Sequence, residues 1–263
     1  MNDTQSTMTL GHHYLATIAK SDQPAIVEAL KDVAPDLAAM TVSFAYGELY
    51  PRRGLDLRQR QLITVAALCA MGGAEPQLRF HIAGALNVGC SAVEVVEALT
   101  HLVVYAGFPA ALNGVFAAQA VFMEKGIAVQ AEPVVNGTSR HDDGLACLRA
   151  IDGELGERVI ESLKDIAPDL GRFIIEFGFG EVYARPQLDL RSREMVTVAA
   201  LAAMGSATPQ LKVHMHGLLN VGGTREQLVE VVTHIAAYAG FPRAINAALA
   251  AKEVLSDRAH ATH

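Results

Sequence analysis

The chain says most things twice. Ala34-Pro-Asp-Leu37 returns as Ala167-Pro-Asp-Leu170, and Leu55-Asp-Leu-Arg58 as Leu188-Asp-Leu-Arg191. Thr64-Val-Ala-Ala-Leu68 returns as Thr197-Val-Ala-Ala-Leu201, and Tyr105-Ala-Gly-Phe-Pro109 as Tyr238-Ala-Gly-Phe-Pro242, every pair 133 residues apart. Residues 30–122 align on 163–255 without a gap, and about half of the paired positions are identical, which chance does not produce. A solenoid unit runs to ~20–50 residues, so a period this long is a duplicated domain. The 263 residues divide into a first repeat over 1–124, a linker over 125–144 rich in Gly, Pro and polar residues, and a second repeat over 145–263.

Each repeat reads as a run of helices. There is no Trp, aromatics make up 6%, and 51% of residues are hydrophobic, much of that Ala, Leu and Val, a composition for helix-on-helix packing. Asp56 is placed to cap a helix from Leu57 to Met71 that Gly72-Gly73 stops. Pro24 and Pro35 suit first-turn positions, and Pro76 opens a helix that ends before Gly89. Ser91-x-x-Glu94 is a capping-box pattern whose counterpart is Thr224-x-x-Gln227; its helix is expected to run to Gly107, and Pro109 to open a last one to Lys125. No stretch alternates as a strand does, and the class is all-α.

Charge and composition exclude several functions. A formal −7 argues against a phosphate-backbone binder, which needs a basic face. The longest uncharged apolar run, Met195–Gly205, falls short of the ~20 residues that span a bilayer, so no membrane association is expected. The polar N-terminus carries no signal pattern, and Cys69, Cys90 and Cys147 form no Cys-x-x-Cys pair. A reducing, cytoplasmic setting is the expectation. His214-Met-His216 places two rings at i, i+2, where a helix makes them diverge, and no Gly-rich phosphate loop is present. No metal and no cofactor are therefore expected. His12-His13 and the tail His260 and His263 read as flexible ends.

A few polar residues fall among the apolar ones and recur in both repeats. His81 and His214 sit mid-helix and are candidate general acids or bases, although a core histidine bonded to a neighbouring carbonyl is the commoner case. Glu97, His101 and Tyr105, with Glu230, His234 and Tyr238, follow i, i+4, i+8 and form a stripe, read foremost as a hydrogen-bonded seam against a partner helix. Arg58 and Arg60, with Arg191 and Arg193, stand at helix starts, and at i, i+2 at most one of each pair faces a pocket.

In combination these residues resemble the carboxymuconolactone decarboxylase family, of the AhpD-like helical bundle fold. The matching features are Gly47-Glu48 and Gly180-Glu181, the Leu-x-x-Arg-x-Arg openings at Leu55–Arg60 and Leu188–Arg193, and His81-x7-Gly89 with His214-x7-Gly222. The Glu-x3-His-x3-Tyr-Ala-Gly-Phe-Pro stretches ending in Asn113 and Asn246 complete the pattern. Hydroperoxidase-like members of the family carry a Cys-x-x-Cys pair a few residues before the matching His. Here Ala74-Glu-Pro-Gln77 and Ala207-Thr-Pro-Gln210 stand there, without thiols. The resemblance is thus to the decarboxylase branch.

What it implies is loss of CO2, without a cofactor, from a γ-carboxylated unsaturated lactone in aromatic-acid catabolism. His81 and His214 would be the acids, Glu48 and Glu181 would orient them, and Arg60 or Arg193 would hold substrate carboxylates, with Tyr105 and Tyr238 in the binding site. Glu194 matches a Glu common in the family where the first repeat has Gln61, and His216 stands where it has Ala83, which favours the second repeat if one alone is active. Single-repeat relatives form rings, so a homotrimer of tandem chains is expected, a pseudo-hexameric ring joined by apolar helices such as Phe108–Phe122. A redox enzyme of the same fold and a non-catalytic binding protein are the competing readings.

Overall fold

A computed structural model describes residues 3–22, 25–129 and 139–261. In order these form α1 (Asp3–Ala19), α2 (Ala25–Leu30), α3 (Pro35–Met40), a π-helical segment (Thr41–Leu49), α4 (Leu57–Met71), α5 (Glu75–Asn87), α6 (Ala92–His101) and α7 (Gly107–Lys125). The second repeat gives α8 (Arg140–Ile151), α9 (Gly153–Ser162), α10 (Pro168–Phe173), a second π-helical segment (Ile174–Tyr183), α11 (Leu190–Met204), α12 (Thr208–Asn220), α13 (Arg225–His234), α14 (Ala236–Ala239) and α15 (Phe241–Ala261). No strand occurs among the described residues.

Most boundaries follow from the caps. The Asp56 carboxylate accepts from the Gln59 amide while the Gln59 side chain reaches back, and Ser91 with Glu94 and Thr224 with Gln227 close the same reciprocal pair. Pro35 and Pro168 open their helices, where a missing N–H costs nothing. Some expectations change. Pro24, His263 and residues 130–138 of the expected linker lie outside the described residues, but α8 starts at Arg140, inside that stretch, with the Ser139 side chain accepting from the Asp142 amide. His12 and His13 are exposed on α1 rather than in a loose end. The Glu97 stripe is not one helix: α6 stops at His101 and Tyr105 lies in the turn after it.

Two helices organise the whole molecule. Arg60 through Cys69 on α4 and Arg193 through Ala203 on α11 are buried without interruption, as expected of a helix enclosed on every side. They pack on each other at the centre, and the cores on either side mix the repeats. Leu55, Ile63 and Ala67 join the second-repeat core, and Leu188, Val196 and Ala200 join the first-repeat core. The two repeats thus share one interior.

The π-helical segments are held by close crossings. A Cβ on Gly11 would sit 2.1 Å from the Val42 carbonyl oxygen, and one on Gly47 would sit 2.2 Å from that of Thr7. In the second repeat Gly144 and Gly180 stand equally close to backbone oxygens of Ile175 and Arg140, at 2.1 Å each. Only glycine permits α1 and α8 to approach this near. The wider π turn stacks Tyr46 on Tyr50, and Phe179 on Tyr183, each at 4.9 Å between ring centroids. Such segments are often found at functional sites.

Candidate active site

The repeats meet through two buried seams, built from the stripes seen in the sequence. Arg193 on α11 donates to Glu97 on α6 at 2.9 Å, and Arg185 donates to both oxygens of the same carboxylate. In mirror fashion Arg60 donates to Glu230 at 3.1 Å, and Arg52 clasps it from the rim. Each glutamate therefore pairs with two guanidiniums of the other repeat.

Next to the guanidinium lies a histidine with a fixed tautomer. The Thr64 hydroxyl donates to the Arg60 carbonyl at 2.8 Å, so it can only accept from His234 Nε2 at 2.9 Å. Nδ1 of His234 then offers its lone pair to Arg60 Nη1 at 3.3 Å. Thr197 repeats both bonds of Thr64, to the Arg193 carbonyl at 3.0 Å and from His101 Nε2 at 2.8 Å, but His101 Nδ1 has no hydrogen-bond partner. Burial first, and the adjacent guanidinium second, push both imidazoles well below the ordinary histidine range, so they are neutral.

The candidate acids stand on neighbouring helices, His81 on α5 and His214 on α12, and here the repeats diverge. His214 Nδ1 donates to Glu194 Oε2 at 3.0 Å, the Tyr183 hydroxyl donates to Glu194 Oε1 at 2.5 Å, and the Tyr105 hydroxyl, 2.5 Å from that of Tyr183, must donate to it. In the first repeat an amide replaces the carboxylate. His81 Nδ1 donates to Gln61 Oε1 at 2.9 Å, Gln61 Nε2 donates to the Tyr50 oxygen at 3.0 Å, and the Tyr50 and Tyr238 hydroxyls share a hydrogen bond at 2.8 Å. The role of the inner tyrosine is reversed: Tyr183 donates to the Glu194 carboxylate, whereas Tyr50 accepts from the Gln61 amide.

The charge of the imidazole changes with it. Burial alone pushes His81 down to about 3, so it is neutral. Burial acts on His214 in the same sense, but the charge and hydrogen bond of Glu194, with the charge of Asp152, outweigh it and raise the ring above the ordinary histidine value. Both rings lie edge-on to a tyrosine of the other repeat, His214 to Tyr105 at 5.0 Å and His81 to Tyr238 at 5.1 Å. With Nδ1 taken, Nε2 is the nitrogen left to meet a substrate. The second site thus favours a protonated donor, the first a neutral acceptor.

Not every residue singled out in the sequence reaches these sites. Tyr105, Tyr238, His81, His214 and Glu194 come together as described. Glu48 and Glu181 do not orient the histidines: Glu48 is exposed, and Glu181 pairs with Arg140 at 2.5 Å on the outer face of its π-helical segment. Gln61 and Glu194 occupy the orienting position instead. Arg60 and Arg193 are wholly buried and bound to glutamates of the other repeat rather than turned to an open face, with Arg60 Nε and Arg193 Nη1 left without a partner. Tyr50, Tyr183, Thr64 and Thr197 were missed, the tyrosines because the π-helical turn that aims them leaves no spacing signature. Asp152 was missed as well. Among the described residues no group of three His, Cys, Asp or Glu side chains is arranged to hold a metal ion, and no helix is long and apolar enough to cross a membrane.

Comparison with known proteins agrees with the duplication. The profile of the carboxymuconolactone decarboxylase family matches twice, at residues 35–120 and 168–253. A 4-carboxymuconolactone decarboxylase of Acinetobacter baylyi is 36% identical over 124 residues, 47% of this chain and 92% of that protein. A nitrosuccinic acid decarboxylase of Metarhizium robertsii is 29% identical over 119 residues, 44% of this chain and 81% of that protein. A crystal structure from Burkholderia xenovorans LB400, provisionally assigned as a gamma-carboxymuconolactone decarboxylase subunit, superposes with a TM-score of 0.61 at 25% identity, covering 96% of this chain and 98% of the other.

Proposed function

Because the chain belongs, in both of its repeats, to the carboxymuconolactone decarboxylase family, we propose that its second-repeat site is a carboxy-lyase site working without a cofactor. Its substrate would be a small unsaturated lactone with a carboxylate on the γ carbon, of the 4-carboxymuconolactone kind met in aromatic-acid breakdown. The observation that carries this is the Glu194–His214 pair, an imidazole whose protonated form is favoured and whose ring lies edge-on to Tyr105 with Nδ1 bound to the carboxylate. The relatives named above as decarboxylases support the reaction class.

The chemistry needs little beyond that pair. The bond from the γ carbon to the carboxylate breaks and CO2 leaves. The electron pair moves through the ring double bond onto the lactone carbonyl oxygen, giving a dienolate. His214 Nε2 gives its proton to the α carbon, and water returns a proton to the ring. While charged, the imidazolium also stabilises the developing negative charge. Arg193 and Glu97 act at one remove, through the seam between the repeats that presents Tyr105. A thiol-based redox reaction has less to work with: burial pushes Cys69 and Cys147 up to about 12 and Cys90 up to about 11, far from a thiolate at neutral pH.

The same reading includes a cytoplasmic homotrimer with six repeats in a ring. Phe108, Leu112 and Phe116 on α7 are exposed, and so are their counterparts Phe241, Ile245 and Leu249 on α15. Two matching apolar stripes per chain suit closed assembly of identical subunits. Sedimentation at micromolar protein should give three chains per particle, and a monomer would refute the ring. For the reaction, CO2 release from 4-carboxymuconolactone and related lactones should be seen with the wild type and lost in His214→Asn. Turnover undiminished in that variant would overturn the assignment.

A further inference from the structure

Asp152 lies at the junction of α8 and α9, outside both segments that match the family, and its first-repeat counterpart is Ala19. An aspartate there would ordinarily cap α9, but its side chain makes no capping hydrogen bond. It is 6% exposed, and its buried Oδ1 has no hydrogen-bond partner. That oxygen lies 3.9 Å from His214 Nδ1. Gly217 leaves the space: a Cβ there would sit 2.6 Å from Glu194 Oε2 and 3.3 Å from Asp152 Oδ1. On its other side Asp152 lines a surface cleft of about 550 Å³ flanked by Arg158, His216 and Arg258.

The groups that face the His214 ring decide what such a carboxylate does. Tyr105 and Tyr183 keep their protons, burial being the first cause and Glu194 the second. Cys147, at the end of α8, also stays protonated, and His101 is neutral. Arg193 is bound by Glu97. Glu194 and Asp152 are therefore the anionic candidates at the ring. Burial pushes Asp152 up to about 6, with His214 drawing it down and Glu194 raising it. At neutral pH it is ionised, and a bare buried carboxylate this near an imidazole favours the imidazolium.

We propose that Asp152 is a positioning residue of the second site, a second carboxylate that with Glu194 holds His214 in its charged, proton-donating form and is open through the cleft to bulk pH. This rests on the carboxy-lyase reading for its purpose but not for its test. The two substitutions between the repeats at this spot, Ala19 to Asp152 and Gln61 to Glu194, then form one set that makes only the second imidazole an acid.

Substrate-free NMR titration of the histidine rings in the full chain is the test, with His214→Asn used for assignment. In Asp152→Asn and Asp152→Ala the His214 midpoint should fall by about one pH unit or more, a roughly tenfold loss of proton affinity, while His81 does not move. A midpoint that stays in place in the folded Asp152→Asn protein overturns the proposal. Should both variants fail to fold, the reciprocal change decides. Ala19→Asp added to Gln61→Glu should raise the His81 midpoint beyond Gln61→Glu alone, and no further rise overturns it. In CO2 release from 4-carboxymuconolactone, the alkaline limb of the Asp152→Asn rate profile should shift down by the same amount. If no lactone is turned over while the titrations behave as expected, the carboxy-lyase reading fails and the role of Asp152 stands.

Discussion

Two copies of one site lie in this chain, and they differ where chemistry is decided. The seams are alike: Glu97 with Arg185 and Arg193, Glu230 with Arg52 and Arg60, and a neutral histidine bonded to threonine beside each. The imidazoles beyond are not. Gln61 leaves His81 neutral and donates to its tyrosine, whereas Glu194 favours the protonated form of His214 and accepts from its tyrosine. Duplication thus kept what joins the repeats and released what acts. A seam that ties each repeat to the other constrains both copies at once, while an orienting residue can change in one copy alone.

The sharpest break of this comparison comes from the acids themselves. His214→Asn should cost ~10²–10⁴-fold in CO2 release, the usual worth of a general acid, while His81→Asn should leave most turnover. Equal losses would mean two working sites. The seams should behave in the opposite way. Glu97→Gln and Glu230→Gln each strand a buried guanidinium and should each destabilise by ~3–5 kcal/mol in urea unfolding. Clearly unequal losses would end the claim that the seams are equivalent.

Exchanging the orienting residues should exchange the character of the rings. Glu194→Gln should lower the His214 midpoint by ~1–3 pH units, and Gln61→Glu should raise that of His81, both read by ring NMR. The pH dependence of stability follows with opposite signs. His214, raised in the fold, contributes stability fully below the unfolded histidine value of ~6.5 and loses it as pH rises through its folded value. His81, lowered to about 3, costs stability increasingly as pH falls from ~6.5 towards that value. His81→Asn should therefore flatten the acid side of a urea-derived stability profile, and an unaltered slope would refute its neutrality. The smallest effect is expected where Tyr46 stands opposite Phe179 in the alignment: Tyr46→Phe should change stability by less than ~1 kcal/mol, and a larger loss would assign its hydroxyl a role.

Much of this was legible before any coordinates. The repeat, the all-α class, the capped starts of α4, α6 and α13, and the histidines, Tyr105, Tyr238 and Glu194 all stand in the sequence because caps and duplication are local or directly comparable. Glu48 and Glu181 misled because they flank a glycine that the alignment prized. That glycine serves a helix crossing, which turns its neighbour outward. The arginines misled because residue type speaks of carboxylates without saying whose: here Glu97 and Glu230 of the other repeat supply them.

By itself the sequence determined that there are two fused helical units, where most of their helices begin, and which polar side chains are embedded among apolar ones. These depend on neighbours a few residues away or on a copy 133 residues on. The tertiary structure alone decided that each site draws on both units, that α4 and α11 bury their guanidiniums against the opposite unit, and that Asp152 stands behind one imidazole and nothing equivalent behind the other. The physical reason is that the charge of a buried ring is set by what lies within a few ångströms in space, and those neighbours come from helices the sequence holds far apart.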